Sequence, residues 1–406
     1  VSIIQYLQAI SNNYITKNNG MLLPLSIIPS TILAYFYIEI INQLKNLQKI
    51  NKFYVFFIFC SLIFFTYKMN RYGAYGNDYI GHFLIFFLFS LILKKSDNIK
   101  IHETYFYSVF ILLNKITFVN ILIFPAILIF KKFKWMDIIN HKNFLISVFL
   151  LLWLIKNVIN SSCLIWPIEK TCIKYSTWFN HDITSTQHVS KLEIINKAWS
   201  KGYPDQLGEK LGFEEFLENY NWLETWIKNH GKKISKILFI YIVIIIIISF
   251  YLRISSKSVL KKNFYENWKN KLLIYLSVFL LGVLIWFFNF PVFRFGISNL
   301  VISIIILFML IIKDFDITEK NKNFIKYFSS ICMVIFLSKN LIKLEHYDNK
   351  YNNFPWPKYY SFDNENKIKN TQKIELGELY YYKTSGLCMY SRSPCTNENT
   401  SNFLIT

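Results

Sequence analysis

The stretch "ILFIYIVIIIIISFYL", residues 237 to 252, contains no charge over its whole length. The blocks "LLIYLSVFLLGVLIWFFNF" (272–290) and "ISNLVISIIILFMLII" (297–312) are alike. Each approaches the roughly 20 apolar residues that cross about 30 Å of hydrocarbon. One such block fits a buried core helix, but several in succession predict an integral membrane protein, because backbone N–H and C=O groups in lipid must be satisfied within helices. Composition agrees: 53% of the 406 residues are hydrophobic and 19% aromatic, and the apolar ones come in runs rather than in an amphipathic pattern.

Ten candidate spans follow: 21–42, 54–68, 79–93, 104–113, 117–130, 143–159, 236–252, 272–288, 298–312 and 325–338. The fourth and fifth, either side of Asn114 and Lys115, read as one long helix or as a short hairpin. Lysine placement decides between them. Clusters occur at Lys45, Lys49 and Lys52; at Lys94, Lys95 and Lys100; at Lys131, Lys132 and Lys134; at Lys257, Lys261 and Lys262; and at Lys320 and Lys322. A hairpin puts every cluster on one side, cytoplasmic by the positive-inside rule, whereas a single helix splits them. The expected fold class is therefore all-α and polytopic, with membrane helices over 1–159 and 236–338. A loop region over 160–235 and a tail over 339–406 fall on the periplasmic side. The net charge of +20 resides in these turns and in a lysine- and asparagine-rich bias; no extended basic stripe points to nucleic acid.

Cysteines give an independent reading of sidedness. Cys163 and Cys172 lie in the loop, Cys388 and Cys395 in the tail, and Cys60 and Cys332 within spans. Two close pairs on the side away from the lysines suit disulfides in an oxidising compartment. A metal site is the alternative, although no His or Cys partner stands at zinc spacing. The loop is rich in Trp and Tyr ("STWFNHD", "KAWSKGYPD", "YNWLETWIKNH") and is expected to form short helices near the membrane surface.

The stretch "NRYGAYGNDYIGHFLIFFLFS" (70–90) places Arg71, Asp78 and His82 at the mouth of the third span. Ionisable groups beside hydrocarbon either reach back to water or serve a task. On this topology Arg294, in "NFPVFRFG", and Lys115, at the hairpin tip, emerge on the same side. Together with Asp78 they are expected to line one mostly cationic, outward-facing cavity suited to a phosphate or pyrophosphate headgroup. Asp78 in that setting holds a divalent metal, orients a sugar hydroxyl or takes a proton. Bland readings stand beside these: Arg71 as an interfacial anchor, Asp78 as a helix cap, His82 as a satisfied interfacial histidine and Arg294 as a turn cap. Glu169 and Lys170 read as a solvated pair, and Asp205 as a turn residue. Glu39 and Lys156, near span ends, are the main charges inside the apolar segments, and no internal repeat is evident.

"YGNDYIGHFLIFFLFSLIL" resembles the segment of polytopic lipid-linked-sugar glycosyltransferases, the GT-C class, in which an Asp at a span's outer end precedes a hydrophobic run. "FILLNKITFVNILIFPAILIF" (110–130) is similar to the region that follows in that class. With "NSSCLIWPIEKTC", "AWSKGYPD", "FPVFRFG" and "CMYSRSPCT", the pattern resembles a group of uncharacterised bacterial multi-spanning membrane proteins. The resemblance implies a protein of the bacterial inner membrane, its C-terminus periplasmic. It implies transfer of a sugar from a polyprenyl-phosphate carrier to an envelope glycan, with a divalent metal as a candidate cofactor. Arg71, Asp78, His82, Lys115 and Arg294 are then the substrate- and phosphate-binding set. The general base of that class usually precedes Asp78, yet Val1–Gly20 contains no acidic residue. The chain is accordingly expected to be an N-terminally incomplete piece, inactive by itself. A polysaccharide polymerase or ligase is the alternative function, and a transporter or flippase a third.

Overall fold

The computed structural model describes residues 23–45, 51–69, 78–132, 140–165, 168–173, 186–203, 211–254, 262–312, 317–351, 371–376, 379–384 and 395–396. Arg71, Asp205, Cys388 and the expected Cys388–Cys395 pairing lie outside the described residues or side chains. Two compact units are present, one holding Pro24–Asn340 and the other Leu341–Thr406.

The larger unit is helical. In chain order it comprises α1 (Leu23–Lys45), α2 (Lys52–Tyr67), α3 (Asp78–Lys95), α4 (Ile101–Asn114), a 3-10 helix (Ile116–Leu122) and α5 (Ile123–Lys132). There follow α6 (His141–Ser161), α7 (Thr186–Ser200), α8 (Phe213–Leu217) and α9 (Trp222–Trp226). A π-helical turn (Ile227–Gly231) leads into α10 (Lys232–Ile254), then α11 (Lys262–Asn289), α12 (Phe293–Ile311) and α13 (Glu319–Tyr351). Among the described residues five stretches are long and apolar enough to cross a membrane: Ile27–Lys45, His141–Ile159, Trp222–Ile254, Trp268–Asn289 and Phe293–Ile311. The ten apolar segments marked in the sequence overlap described helices, the one over 117–130 running from the 3-10 helix into α5.

Burial sorts these helices. In α2 every residue from Phe53 to Thr66 is buried, so a helix apolar on all faces is clothed by protein on all faces. Its N-cap, Asn51, accepts from Tyr54 N at 3.1 Å and donates from Nδ2 to Leu93 O at 2.9 Å, so one amide caps α2 and a free carbonyl near the end of α3. By contrast α6 buries only 11% of its apolar window and turns Phe144, Leu145, Leu151 and Leu152 outward, as a lipid-facing helix does.

The chain does fold back at Lys115. That residue is extended (φ −157°, ψ 125°) and ends α4, and Ser108 Oγ donates to Ile121 O at 3.2 Å. Thirteen residues of continuous helix would hold those groups roughly 20 Å apart. Pro125 leaves a carbonyl open for this contact, since it has no N–H to offer Ile121 O four residues earlier, and the Ser108 hydroxyl donates there.

Helix direction then sets two ends about 27 Å apart along the 18 residues of α3. At one end Lys95 pairs with Glu103 (2.6 Å), Lys271 reaches Ser96 (3.1 Å), and Asn321 at the start of α13 donates to Leu252 O (3.4 Å). Among the described residues Lys52, Lys94, Lys95, Lys100, Lys320 and Lys322, members of three of the sequence's lysine clusters, lie toward this end. Asp78, Lys115 and the start of α12 lie at the other. Glu39 is not a stray charge within α1: Lys94 pairs with it at 2.8 Å and the Tyr54 hydroxyl donates to it at 3.2 Å.

In the smaller unit the expectation of an all-α chain is corrected. Thr371–Leu376 (β1) and Leu379–Thr384 (β2) pair antiparallel, with Ile374 opposite Tyr381, and Cys395–Thr396 (β3) joins β2 in parallel. The run Leu379–Tyr382 contributes three consecutive tyrosines, residues that favour a pleated strand over a helix.

Candidate functional site

Asp78 is the first residue of α3, Lys115 the turn of the hairpin, and Arg294 the second residue of α12. The fold brings them together. Lys115 Nζ lies 2.6 Å from Asp78 Oδ1, and Arg294 Nε lies 3.9 Å from Asp78 Oδ2. One carboxylate therefore stands between two cations at the start of a helix, where free N–H groups also favour negative charge. The Phe295 ring forms a floor, 3.1 Å from the Lys115 ammonium and 4.7 Å from the Arg294 guanidinium, centroid to cation. Asp78 and Lys115 are largely covered, 16% and 20% exposed, while Arg294 is 52% exposed. The residue presented to solvent is the arginine.

Lys115, outside both helical arms of the hairpin, carries the cost of that covering. Burial pulls its ammonium down to about 8 and Arg294 adds to the fall, while Asp78 opposes both.

His82 sits one turn below Asp78 and is fully buried. Its Nε2 is 2.6 Å from Arg294 O, so that nitrogen carries the proton and donates. Nδ1 accepts from the Ser298 hydroxyl at 2.9 Å and faces Ser298 N at 3.3 Å. The imidazole thus occupies the first turn of α12 and fixes the backbone of Arg294. With both ring nitrogens engaged by protein, His82 is a positioning residue here, not a ligand of a phosphate.

The turn before Arg294 is held from two directions. Trp286 Nε1 donates to Val292 O and Trp226 Nε1 to Pro291 O, both at 2.7 Å. Gly296 lies against the Trp286 indole, where a Cβ would come within 2.6 Å of the ring. The loop region packs on the same structure: Ala198, Phe216 and Trp222 form a small core with Tyr203, Trp226 and Phe287. The expected short helices of this loop are α7, α8 and α9. Cys163 and Cys172 form a disulfide, and the strap between them is tied by Thr171 Oγ1, which donates to Ile165 O at 3.0 Å. Lys170, on that strap, is exposed. Cys60 and Cys332 are buried free thiols.

The donor set around Asp78 does not fit a resident divalent cation. Both carboxylate oxygens face side-chain cations, and among the described residues no group of three or more His, Cys, Asp or Glu comes together. What the site can do is hold an anion: Arg294 offers a planar fork, Lys115 a point charge, and Asp78 orients both.

Sequence reasoning found the charged members but missed Phe295, Ser298 and the two indoles. Trp226 and Trp286 carried a signal in the aromatic richness of their segments. Ser298 carried none.

Membrane-spanning helices, a disulfide strap and a charged cluster at one end define a polytopic helical membrane protein. The chain belongs to the family described as Domain of unknown function (DUF8201), whose profile matches residues 1–301 and so includes Asp78, His82, Lys115 and Arg294. No curated protein and no solved structure matches the chain.

Proposed function

We propose that this protein binds the phosphate or pyrophosphate headgroup of a lipid-linked sugar at the non-cytoplasmic face of a bacterial inner membrane, as a GT-C type glycosyltransferase building an envelope glycan. The carrying observation is the Asp78–Lys115–Arg294 cluster at the end of the helices opposite the lysine-rich turns. Positive-inside sorting assigns those turns to the cytoplasm, so this end faces the periplasm, where the Cys163–Cys172 disulfide persists. The reading keeps ten membrane segments, with the hairpin as two short ones and the tail outside.

In the proposed reaction an acceptor hydroxyl attacks the anomeric carbon, the bond from that carbon to the carrier phosphate oxygen breaks, and its electron pair stays on the phosphate. Arg294 and Lys115 stabilise the charge that develops there. The acceptor proton goes to a base beyond the described residues. Arg294→Ala and Asp78→Asn should each abolish glycan product in cells while the protein remains at normal level in the membrane. Normal glycan from both variants refutes the reading.

A polysaccharide polymerase or ligase that uses cations without a metal is the second reading, and the commitment of both Asp78 oxygens to cations favours it over a metal-assisted transferase. Activity that survives a chelator selects it.

A further inference from the structure

At the lysine-rich end, far from the Asp78 cluster, a cavity of about 430 Å³ opens between α4 and α6. Its volume lies within the range of small-ligand pockets. Its mouth is charged: His102, Glu103 and Lys142 line it. Glu103 is taken by Lys95 at 2.6 Å, and His102 stands in the field of Lys142, Lys100 and Lys95. Three lysines thus meet one carboxylate. Both helices also begin here, α4 at Ile101 and α6 at His141, so the positive ends of their dipoles add to the same opening, although Asn140 caps the Lys142 N–H. Below the mouth the character changes. Val109, Ile146 and Phe149 lead inward, and apart from the Tyr107 hydroxyl the walls are aliphatic and aromatic. The wall formed by α6 belongs to the least buried membrane-length helix, with Phe144 and Leu145 exposed beside it.

A cationic rim over an apolar shaft in a lipid-facing wall matches an amphiphile and no water-soluble anion, which would leave the shaft unfilled. We infer that the α4–α6 cavity is a binding site for one anionic phospholipid of the leaflet at the lysine-rich end, with its phosphate at Lys142 and Lys100 and one acyl chain along Val109, Ile146 and Phe149. This site is independent of the proposed glycosyl transfer, shares no residue with it and is tested without any activity.

The test is native mass spectrometry of the purified full chain in detergent, titrated with phosphatidylglycerol or phosphatidylcholine. A one-to-one adduct that favours phosphatidylglycerol by about tenfold is expected, since each lysine near a headgroup contributes a several-fold preference. Lys142→Glu, at an exposed position that leaves the fold intact, should remove about tenfold of that preference. Val109→Phe, filling the shaft, should weaken both lipids alike, with an unchanged thermal transition as the control for folding. Excess glycerol phosphate should not displace the adduct, because it lacks the chain. Equal binding of the two lipids, a phosphatidylglycerol adduct unmoved by Lys142→Glu, or displacement by glycerol phosphate would each overturn the inference.

Discussion

Lys115 shows how one ammonium couples position to protonation. Its pKa in the folded chain is about 8 against an ordinary 10.5, so the folded state binds the proton less tightly than the unfolded state. The cost of burying the charge is therefore fully present below about 8 and is relieved as pH rises toward 10.5. Thermal unfolding in detergent should show stability gained over that window, and Lys115→Met should remove the gain. Headgroup binding runs the other way, because only the protonated form attracts phosphate. Inorganic pyrophosphate affinity, followed by calorimetry, should fall as pH rises through about 8. His82 makes a different demand. Replacing it by alanine leaves the buried Ser298 hydroxyl without its ring partner and should cost about 2 kcal/mol of stability, read from thermal unfolding. The charged trio was legible in the sequence because ionisable residues beside hydrocarbon stand out. The bond from His82 to Arg294 O was not, because it joins positions 212 residues apart and involves a main-chain atom that any residue carries.

Among the elements, the hairpin and α12 depend on close approach. At Gly81 in α3 an added Cβ would come 2.5 Å from Cε2 of Phe118 in the 3-10 helix and 2.9 Å from Nδ2 of Asn114. At Gly282 in α11 it would collide with the Asn120 and Asn299 amides, which bond each other at 3.1 Å. Gly282→Ala and Gly296→Ala should each destabilise the membrane unit by about 1–3 kcal/mol, the usual cost of overpacking, seen as earlier thermal aggregation on size exclusion. The reversal at Lys115 was legible from charge alone, since only a hairpin keeps the lysine clusters together. The small sheet of the tail was missed because a membrane pattern dominates this chain, and its short polar–aromatic strands show no apolar run.

For the molecule as a whole, the distribution of thiols is a direct check on sidedness. A membrane-impermeant maleimide applied from the face away from the lysine turns should label Cys172, the less buried member of the pair, only after reduction. Cys60 and Cys332, both buried, should stay unlabelled until the protein unfolds. Labelling of the reduced pair from the lysine side would invert the topology and remove the basis of the proposed function. The helical, membrane-type character was legible from apolar runs, whereas how each helix is covered was not, because the more apolar α2 is enclosed by protein while α6, which carries Lys and Asn residues, turns its apolar side chains outward. The enclosure of α2 also has a consequence for biosynthesis. Phe324 and Phe328 of α13 pack on Phe59, and Lys339 donates to Thr66 O at 3.1 Å, so part of the wall around α2 is made from a helix that lies 273 residues further along the chain at that contact. Until that helix has been made, a short greasy rod inserted earlier must wait with one flank bare, sheltered by lipid or a chaperone, and its maturation is timed by the synthesis of α13.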